Sequence, residues 1–412
     1  MKFLEKLKAL SYRARLTILL HTVFTLAETI GGVFFNLYLW RLTSSLQLIA
    51  QYQFWYWLAL MLGFILIGYA FKNKGMSQLF RIGFWLNFIF FGLIVWLGER
   101  SINWTVYLGL LSGLAAGFYW SAHEVMALSG TSDKTREMFY GVLMSGESVA
   151  RIAGPALSAG LIWLGARWRG EELFGYYLLF AFVALLFLAT ELVINRVKDV
   201  SFTQFSLRGV FSLYQRKAWR WNLWRSFVDG LMVSRWFVWS VLSYLILTSE
   251  VWLGTMMSLV GGLAIISNML VGQWFKPSLR AKLNSWGAAL LVIAGIVYPL
   301  LLNPLGLVFD QILGEVIGIP LFVFAWLAWF YLAVETDYEG EKRQFEYYAG
   351  HEIWQGAGRI ISIGAFWLLA GQLEQISLAR WWFGGLSLLF IVQWWLLKKV
   401  RLALIKAGYK EE

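Results

Sequence analysis

The hydrophobic positions of this 412-residue chain fall into long apolar blocks, separated by short charged or Gly- and Pro-containing stretches. Each block is about 18–28 residues long, and about 20 apolar residues in a helix match the roughly 30 Å hydrocarbon layer of a membrane. Backbone groups inside that layer must be satisfied within the protein, which favours helices for blocks of this length. The pattern therefore predicts an all-α, polytopic membrane protein.

Twelve blocks are long enough to cross a membrane, and a polar stretch divides them into two sets of six. The predicted spans are 15–41, 49–71, 80–98, 103–128, 138–165, 173–195, 222–248, 251–275, 283–302, 306–334, 345–371 and 380–398. The last span shows the pattern well, because Trp and Arg open it and Trp and Lys close it. Such residues anchor helices at the two membrane interfaces.

Composition agrees with this interpretation. Hydrophobic residues make up 59% of the chain and charged residues only 14%, whereas about 25% of a soluble globular protein is charged. The absence of cysteine excludes disulfides, thiolate catalysis and cysteine-ligated zinc. The basic N-terminal segment leads into the first block without a small-residue cleavage site, so we expect a first span rather than a signal peptide.

The net charge of +11 is explained by membrane topology and requires no nucleic-acid partner. With both termini in the cytoplasm, 26 of the 35 Lys and Arg residues fall in cytoplasmic segments, 5 in external segments and 4 within spans. This asymmetry is the positive-inside pattern. It predicts an integral protein of the plasma (cell inner) membrane with cytoplasmic N- and C-termini.

The two sets of spans repeat one another weakly. Four features recur in the same order about 204–208 positions apart, as expected for the internal repeats of transporter folds. The matching residues are Tyr38 and Tyr244, Gly68 and Gly272, Arg136 and Arg343, and Arg151 and Arg359. We therefore predict two pseudo-symmetric six-helix bundles over 1–195 and 222–412, joined by a cytoplasmic central loop over 196–221.

Four charged residues lie near the centres of predicted spans: Glu28, Arg151, Arg235 and Arg359. A charge at that depth costs about 2.5–3.5 kcal/mol on insertion scales, so such residues are functional candidates. Arg235 lies 207 positions after Glu28, and Arg359 lies 208 positions after Arg151. The charges thus occupy matching places in the two halves.

Oppositely charged residues four positions apart on one helix predict two intrahelical ion pairs. These pairs are Glu147–Arg151 in span five and Arg225–Asp229 in span seven. If both pairs neutralise themselves, Arg235 and Arg359 remain against Glu28, and a slightly cationic centre would suit an anionic group on a substrate. The alternative is that Glu28 pairs with one of the two arginines.

Polar and small residues form stripes on two predicted spans, because spacings of three and four put them on one helix face. The stripes are His21, Thr25, Glu28, Gly32 and Asn36 in span one, and Gly113, Gly117, Trp120 and Glu124 in span four. The glycines would let a neighbouring helix or a ligand approach, and Trp120 would form an aromatic wall. In span ten, Glu315 precedes the helix-disturbing Gly318 and Pro320.

All three histidines lie toward the cytoplasmic ends of predicted spans, and two stand directly before a glutamate. They are His21, His123 in the doublet His123-Glu124, and His351 in the doublet His351-Glu352. Histidine changes charge near neutral pH, so one interpretation is a proton relay. The other is that these polar groups tie helix ends together. We predict no metal site, since three separate spans would have to converge.

Motifs of membrane-embedded enzymes are absent from the sequence. His351-Glu352 lacks the second histidine of the zinc-protease pattern H-E-x-x-H. No Walker loop, nucleophile elbow or Asp-rich diphosphate-binding cluster occurs. We therefore predict that the protein is not an enzyme and needs no cofactor.

Six plus six helices, a basic central loop and cytoplasmic termini resemble the major facilitator superfamily over the whole chain. The family loop between spans two and three carries Gly, Asp and Gly; Gly68 and Gly75 keep this spacing, with Lys72 at the Asp position. Gly154-Pro155 in span five is similar to the Gly-Pro pair of the antiporter branch. The span-four arginine of many proton-coupled members is missing. The resemblance implies that spans one, four, seven and ten line a central cavity.

These features predict a secondary active transporter that moves a small, amphipathic or anionic organic solute by alternating access, with proton-coupled export. The predicted substrate-binding residues are Glu28, Asn36, Trp120, Arg235, Glu315 and Arg359. The predicted proton-coupling or gating residues are His21, Glu28, Glu124, Glu147, Arg151, Asp229, His351 and Glu352.

Two alternatives remain open at this point: a lipid or lysolipid flippase of the same fold, and a non-transporting membrane sensor or scaffold. The predicted partners are a small-molecule substrate, the lipid bilayer and protons. We expect the chain to be a monomer.

Overall fold

The computed structural model describes residues 10–131, 133–197, 199–274, 277–335 and 343–409. This part of the chain is helical and contains no β-strand. Some basic residues counted in the topology prediction lie outside the described residues. They are Lys2, Lys6, Lys8, Lys198, Lys276, Lys342 and Lys410.

Each of the first six predicted spans corresponds to one helix. The helices are α1 (Tyr12–Thr43), α2 (Leu46–Ala70), α3 (Met76–Leu97), α4 (Thr105–Ser129), α5 (Asp133–Arg169) and α6 (Glu172–Ala189). A 3-10 turn at Gly98–Trp104 joins α3 to α4, and a short helix, Glu191–Ile194, follows α6.

The last six predicted spans also correspond to helices, three of which are divided. They are α7 (Lys217–Leu231 and Ser234–Leu247), α8 (Glu250–Trp274), α9 (Arg280–Leu301), α10 (Pro304–Asp310, a π-helix Gln311–Gly318, and Ile319–Glu335), α11 (Gln344–Ala370) and α12 (Gln375–Ser387 and Leu389–Lys406). Between α6 and α7 the central segment forms a short helix, Leu207–Ser212, and a 3-10 turn, Leu213–Gln215.

By length and composition alone, the described residues contain 10 segments apolar enough to cross a membrane. These 10 segments contain eleven of the twelve helices, because one segment holds two helices and α12 is not among them. One segment, Met76–Ala127, is 52 residues long and contains both α3 and α4. The two pieces of α12 are only 13 and 18 residues long, and the second carries four basic residues. The protein is therefore an integral, polytopic membrane protein, as predicted.

The chain forms two compact units. Unit 1 consists of 1–43, 55–204 and 250–258, and unit 2 of 44–54, 205–249 and 259–412. The first turns of α2 thus belong to unit 2, and the first turns of α8 belong to unit 1. The predicted domain boundaries at 195 and 222 stay a prediction. Two boundaries in the sequence cannot place the start of one helix in the other unit.

Glycines on α4 allow close helix packing in unit 1. A methyl group at Gly113 would collide with the Tyr56 carbonyl oxygen of α2. One turn further, Gly117 faces Gly63, with 3.4 Å between a Gly117 methyl and the Gly63 Cα. Small residues at such crossings let two membrane helices approach closely. The span-four glycines are predicted to admit either a neighbouring helix or a ligand. Gly113 and Gly117 admit a neighbouring helix, α2.

The first part of the central segment belongs to unit 1 and packs beside the start of α3. The backbone amides of Asn73 and Met76 donate to the carbonyls of Phe202 (3.0 Å) and Val200 (2.9 Å). The Asp199 carboxylate accepts hydrogen bonds from the Ser77 amide (2.9 Å) and hydroxyl (2.8 Å). Gly75 occupies the N-cap position of α3 and has no side chain that could accept a hydrogen bond. Asp199, from a distant part of the chain, caps the helix instead.

Replacing Asp199 by alanine is expected to lower the free energy of unfolding by about 1 kcal/mol, the usual cost of a lost helix cap. The carboxylate also lies at the positive end of the α3 dipole, which adds to the effect. Asp199→Asn keeps one acceptor oxygen and serves as the matched control with a smaller loss. Thermal unfolding of the purified protein in detergent measures both, and an alanine variant as stable as the wild type would contradict this role.

Candidate functional site

In unit 1, His21 connects helices α1, α4 and α5. Its Nδ1 lies 2.7 Å from the Tyr119 hydroxyl of α4, and its Nε2 lies 2.8 Å from Glu147 Oε1 of α5. Tyr119 is held in place because its ring stacks on Phe24, with ring centroids 3.4 Å apart. Both imidazole nitrogens of His21 are therefore engaged, and proton exchange between His21 and Glu147 needs no movement of either helix.

A second histidine lies beside the first. The His123 and His21 ring centroids are 4.5 Å apart, and His123 Nδ1 lies 3.8 Å from Glu124 Oε1. His123 is only 4% exposed, and among the described residues neither of its nitrogens has a hydrogen-bond partner. Buried polar groups usually do have one. The two His–Glu contacts thus form a chain of titratable groups across three helices, which only the tertiary structure brings together.

The Glu147–Arg151 pair predicted on α5 is present but long, at 4.0 Å. The Arg151 side chain is 56% exposed, and the two atoms are too far apart for a hydrogen bond. Glu147 lies much closer to His21 than to Arg151. The main partner of Glu147 is therefore on α1, which spacing along α5 could not reveal.

Glu28 lies on α1 two turns from His21. Among the described residues of unit 1, its carboxylate has no ion-pair or hydrogen-bond partner. A methyl group at Gly32 would lie 3.3 Å from Glu28 Oε2, so the glycine leaves room beside the carboxylate. Trp120 of α4 contacts the His21 ring edge-on at 5.8 Å, and Asn36 is buried further along α1.

In unit 2, Arg235 of α7 is tightly surrounded. Its Nε donates to the Ser387 hydroxyl of α12 at 2.9 Å, and its guanidinium carbon lies 4.2 Å from the Phe383 ring centroid. Its Nη2 lies 3.6 Å from Asp310 Oδ1 of α10. Sequence reasoning missed Asp310, although Asp310 and Glu315 are the only charged residues of 304–334.

The π-helix of α10 lies next to Asp310 and contains Glu315. It begins directly after Asp310 and ends at Gly318, so the disturbance predicted near Gly318 and Pro320 starts earlier in the chain. π-helical turns inside α-helices are frequent at functional sites. Glu315 lies within the π-helix and interacts electrostatically with Arg235.

Arg359 of α11 forms an ion pair with Glu352 of the same helix, with 2.7 Å between Nη1 and Oε2. Residues seven apart lie on one face of a helix, two turns from each other, and a long arginine side chain spans that distance. Arg235 and Arg359 therefore both have acidic partners within unit 2. The prediction that these two arginines form an uncompensated cationic centre is wrong for that reason.

The predicted ion pair between Arg225 and Asp229 of α7 is also not formed. The Asp229 carboxylate accepts hydrogen bonds from Gln355 Nε2 of α11 (2.6 Å) and Gln393 Nε2 of α12 (3.0 Å). The Arg225 guanidinium lies over the Trp326 ring of α10, 4.3 Å from its centroid. Groups on neighbouring helices thus compete successfully with the partner four residues away.

The third histidine is part of the same surroundings. His351 Nδ1 of α11 lies 2.7 Å from the Ser226 hydroxyl of α7. Its ring contacts Phe330 edge-on, with centroids 5.3 Å apart. In the described part of the chain, this histidine connects two helices. The predicted proton relay through His351 and Glu352 stays a prediction.

Comparison with known proteins places the chain among bacterial relatives. No protein-family model matches it. The uncharacterized protein YqgE of Bacillus subtilis (strain 168) is 25% identical over 363 residues, which cover 86% of this chain and 81% of that protein. An uncharacterized protein encoded in the sodM 3' region of Geobacillus stearothermophilus is 30% identical over 165 residues, 39% of this chain and 77% of that protein. The chain belongs to the same family as the Geobacillus protein.

Solved structures identify the fold. A bacterial homolog of the human lysosomal transporter Spinster superimposes with a TM-score of 0.67 at 12% identity, over 97% of this chain and 98% of that chain. The fucose:proton symporter FucP of E. coli superimposes with a TM-score of 0.63 at 13% identity, over 95% and 98%. FucP is a Major Facilitator Superfamily transporter. The chain has the major facilitator superfamily fold.

The sequence motifs of the major facilitator fold have clear structural positions here. A methyl group at Gly75 would collide with the Asp199 carboxylate, so the second loop glycine makes room for the central segment. Lys72 is exposed, whereas Gly68 is buried in α2. A methyl group at Gly154 would collide with the Thr29 hydroxyl of α1.

The start of α8 packs on the other side of the Gly-Pro pair in unit 1. A methyl group at Gly254 would lie 2.7 Å from the Pro155 carbonyl oxygen. The pair thus lies where α5 meets two other helices closely. Its position is explained by packing, and the export direction that the pair suggested stays a prediction.

Proposed function

We propose that this protein is a secondary transporter that couples solute movement to proton movement by alternating access, with Glu28 as the central coupling residue. One observation carries the proposal: within unit 1 the Glu28 carboxylate lies in a membrane helix without a positively charged partner. A carboxylate in that environment is stable only if it binds a proton or a cationic group. A group that must gain and lose a proton is what proton coupling requires.

The neighbouring residues support this role. His21 and Glu147 form a hydrogen-bonded pair two turns from Glu28, and His123 and Glu124 follow them. Imidazole and carboxylate groups at hydrogen-bond distance can exchange a proton, so we propose that these groups pass protons between Glu28 and one end of unit 1. In our proposal, protonation of Glu28 differs between two conformations of the transporter, because only such a difference can drive a conformational change.

The structural neighbours support transport without selecting a solute. They include a fucose:proton symporter, a human organic anion transporter and a bacterial homologue of an iron transporter. Since these proteins act on very different solutes, we infer the substrate from this chain's own residues. We propose a small organic anion, because the contact of Arg235 with Asp310 in unit 2 is long, at 3.6 Å. We further propose export across the plasma membrane by a monomer whose termini are cytoplasmic, as the basic residues indicate.

Flux measurements on proteoliposomes test the proposal. Vesicles that contain the purified protein and the pH-sensitive dye pyranine are given an outward or inward pH gradient, and benzoate, fucose or tetraethylammonium is added. We expect proton movement that depends on the protein and on benzoate, beyond the signal of protein-free vesicles. If proton movement is the same with and without protein for every solute, the transport proposal fails. Movement of headgroup-labelled lipid between leaflets instead would indicate a flippase.

A further inference from the structure

The Arg235 guanidinium is fixed in orientation by three side chains of α12. Phe383 and Phe390 lie 4.2 Å and 5.5 Å from its central carbon, and the Ser387 hydroxyl accepts the Nε hydrogen bond. Gly295 of α9 is needed for this arrangement, because a methyl group there would collide with Ser387 and lie 3.6 Å from Arg235 Nη2. The two terminal nitrogens of Arg235 therefore keep a fixed direction.

The contact between Arg235 and Asp310 is unusually loose for a buried ion pair. Arg235 Nη2 and Asp310 Oδ1 are 3.6 Å apart, with side chains only 11% and 4% exposed. Among the described residues, Asp310 Oδ1 is a buried oxygen without a hydrogen-bond partner. Two other ion pairs close at hydrogen-bond distance: Arg359–Glu352 at 2.7 Å, and Arg41–Glu250 at 2.7 Å, in which Arg41 is half-buried. A charged pair out of water is costly when its geometry is imperfect.

Several titratable groups surround this contact. The groups that interact electrostatically with Arg235 are Asp310, Glu315 and Tyr298, and those that interact with Asp310 include Arg235 and Tyr298. Asp310 lies within ion-pair distance of Arg235. When Asp310 is protonated, Arg235 loses this counter-charge, and a buried arginine keeps its own charge. The guanidinium is then open to an anion from outside.

We propose that Asp310 is a protonatable competitor that controls anion binding at Arg235. Ionised Asp310 pairs with the Arg235 guanidinium. When Asp310 takes a proton from solvent, the terminal nitrogens of Arg235 bind the carboxylate or phosphate group of the solute. No covalent bond changes, Arg235 stays protonated throughout, and one proton enters the cluster with each singly charged anion. Arginine is suited to this task because its planar donors match the geometry of oxyanions.

This inference rests on the proposed function, since it names the substrate class and a specificity residue of the same transporter. It differs from the coupling role of Glu28 because it concerns unit 2 alone. It predicts that anion affinity depends on pH even without a membrane gradient. Binding and flux can therefore be tested separately.

The test measures anion-dependent thermal stabilisation of the detergent-solubilised full chain at pH 5.5 and pH 7.5, with sodium benzoate as the probe, because benzoate carries one negative charge at both pH values. For the wild type we expect at least about tenfold tighter binding of this probe at pH 5.5. Asp310→Asn, which cannot ionise, should bind that probe equally tightly at both pH values. Arg235→Gln should lose stabilisation by that probe at both pH values. Arg235→Lys keeps a positive charge and is measured in case the glutamine variant does not fold.

Glu250→Gln is the matched control, because it neutralises the partner of the half-buried Arg41 in unit 1. It should keep the wild-type dependence on pH. The proposal is overturned if Asp310→Asn retains that dependence, if both Arg235 variants bind like the wild type, or if benzoate stabilises neither the wild type nor Asp310→Asn. A protein that moves benzoate in vesicles but shows any of these results would keep the proposed function and lose this inference.

Discussion

Replacing Glu28 by glutamine is expected to reduce solute-driven proton movement at least about tenfold, equivalent to about 1.4 kcal/mol or more in coupling free energy. Glutamine has nearly the same size but cannot bind and release a proton. Because the Glu28 carboxylate has no partner in the described part of unit 1, no ion pair there is broken. The free energy of unfolding should therefore change by less than about 0.5–1 kcal/mol.

The measurement compares proton movement and solute movement in the same proteoliposomes. We expect solute exchange to continue in Glu28→Gln when the same solute is present on both sides, while a pH gradient no longer drives accumulation. Glu99→Gln removes a carboxylate from an exposed position of unit 1 and should leave both rates unchanged. Full proton coupling in Glu28→Gln would show that another residue carries the proton.

Replacing Arg359 by glutamine is expected to lower the free energy of unfolding by about 3–5 kcal/mol, since it leaves a buried carboxylate without its counter-charge. The ion pair with Glu352 is short, at 2.7 Å, and the two side chains are only 9% and 13% exposed. Glu352→Gln should be destabilising for the converse reason. The double variant Arg359→Gln/Glu352→Gln should recover most of the loss, because no unpaired charge remains.

This cycle separates a structural role of Arg359 from a role in substrate binding. Thermal unfolding in detergent gives the stabilities, and benzoate flux in vesicles gives the activity. If Arg359 binds substrate, the double variant recovers stability but not flux; if its role is structural, both recover. Arg151→Gln is the control, since its long contact with Glu147 predicts a change below about 1 kcal/mol. Additive losses in the double variant would contradict the ion pair.

The positions of the helices could be predicted well because the membrane acts on each segment separately. A run of about 20 apolar residues must form a helix whatever its neighbours are. The same reasoning singled out Glu28, Arg235 and Arg359 as candidates, since a charge within an apolar block stands out. It passed over Asp310 near the start of a span, and the functional roles of all four residues stay predictions.

The partners of those charges could not be predicted because several helices compete for each group. Spacing along α7 predicts that Arg225 and Asp229 meet, yet two glutamines from α11 and α12 take the carboxylate. Spacing along α5 predicts Glu147–Arg151, yet His21 of α1 lies closer to Glu147. Hydrogen bonds from neighbouring helices contribute as much as an intrahelical pair, so helix packing decides the outcome.

The sequence by itself determined that this protein is a polytopic membrane protein with twelve helical spans, because hydrophobicity and charge act locally along the chain. The major facilitator fold was implied by the resemblance to that family. Only the tertiary structure decided which buried charges are compensated. It brought His21, His123 and two glutamates together across three helices, paired Arg235 loosely with Asp310, and left Glu28 without a partner in unit 1. Distances between helices depend on side-chain packing over the whole unit, which no single segment contains.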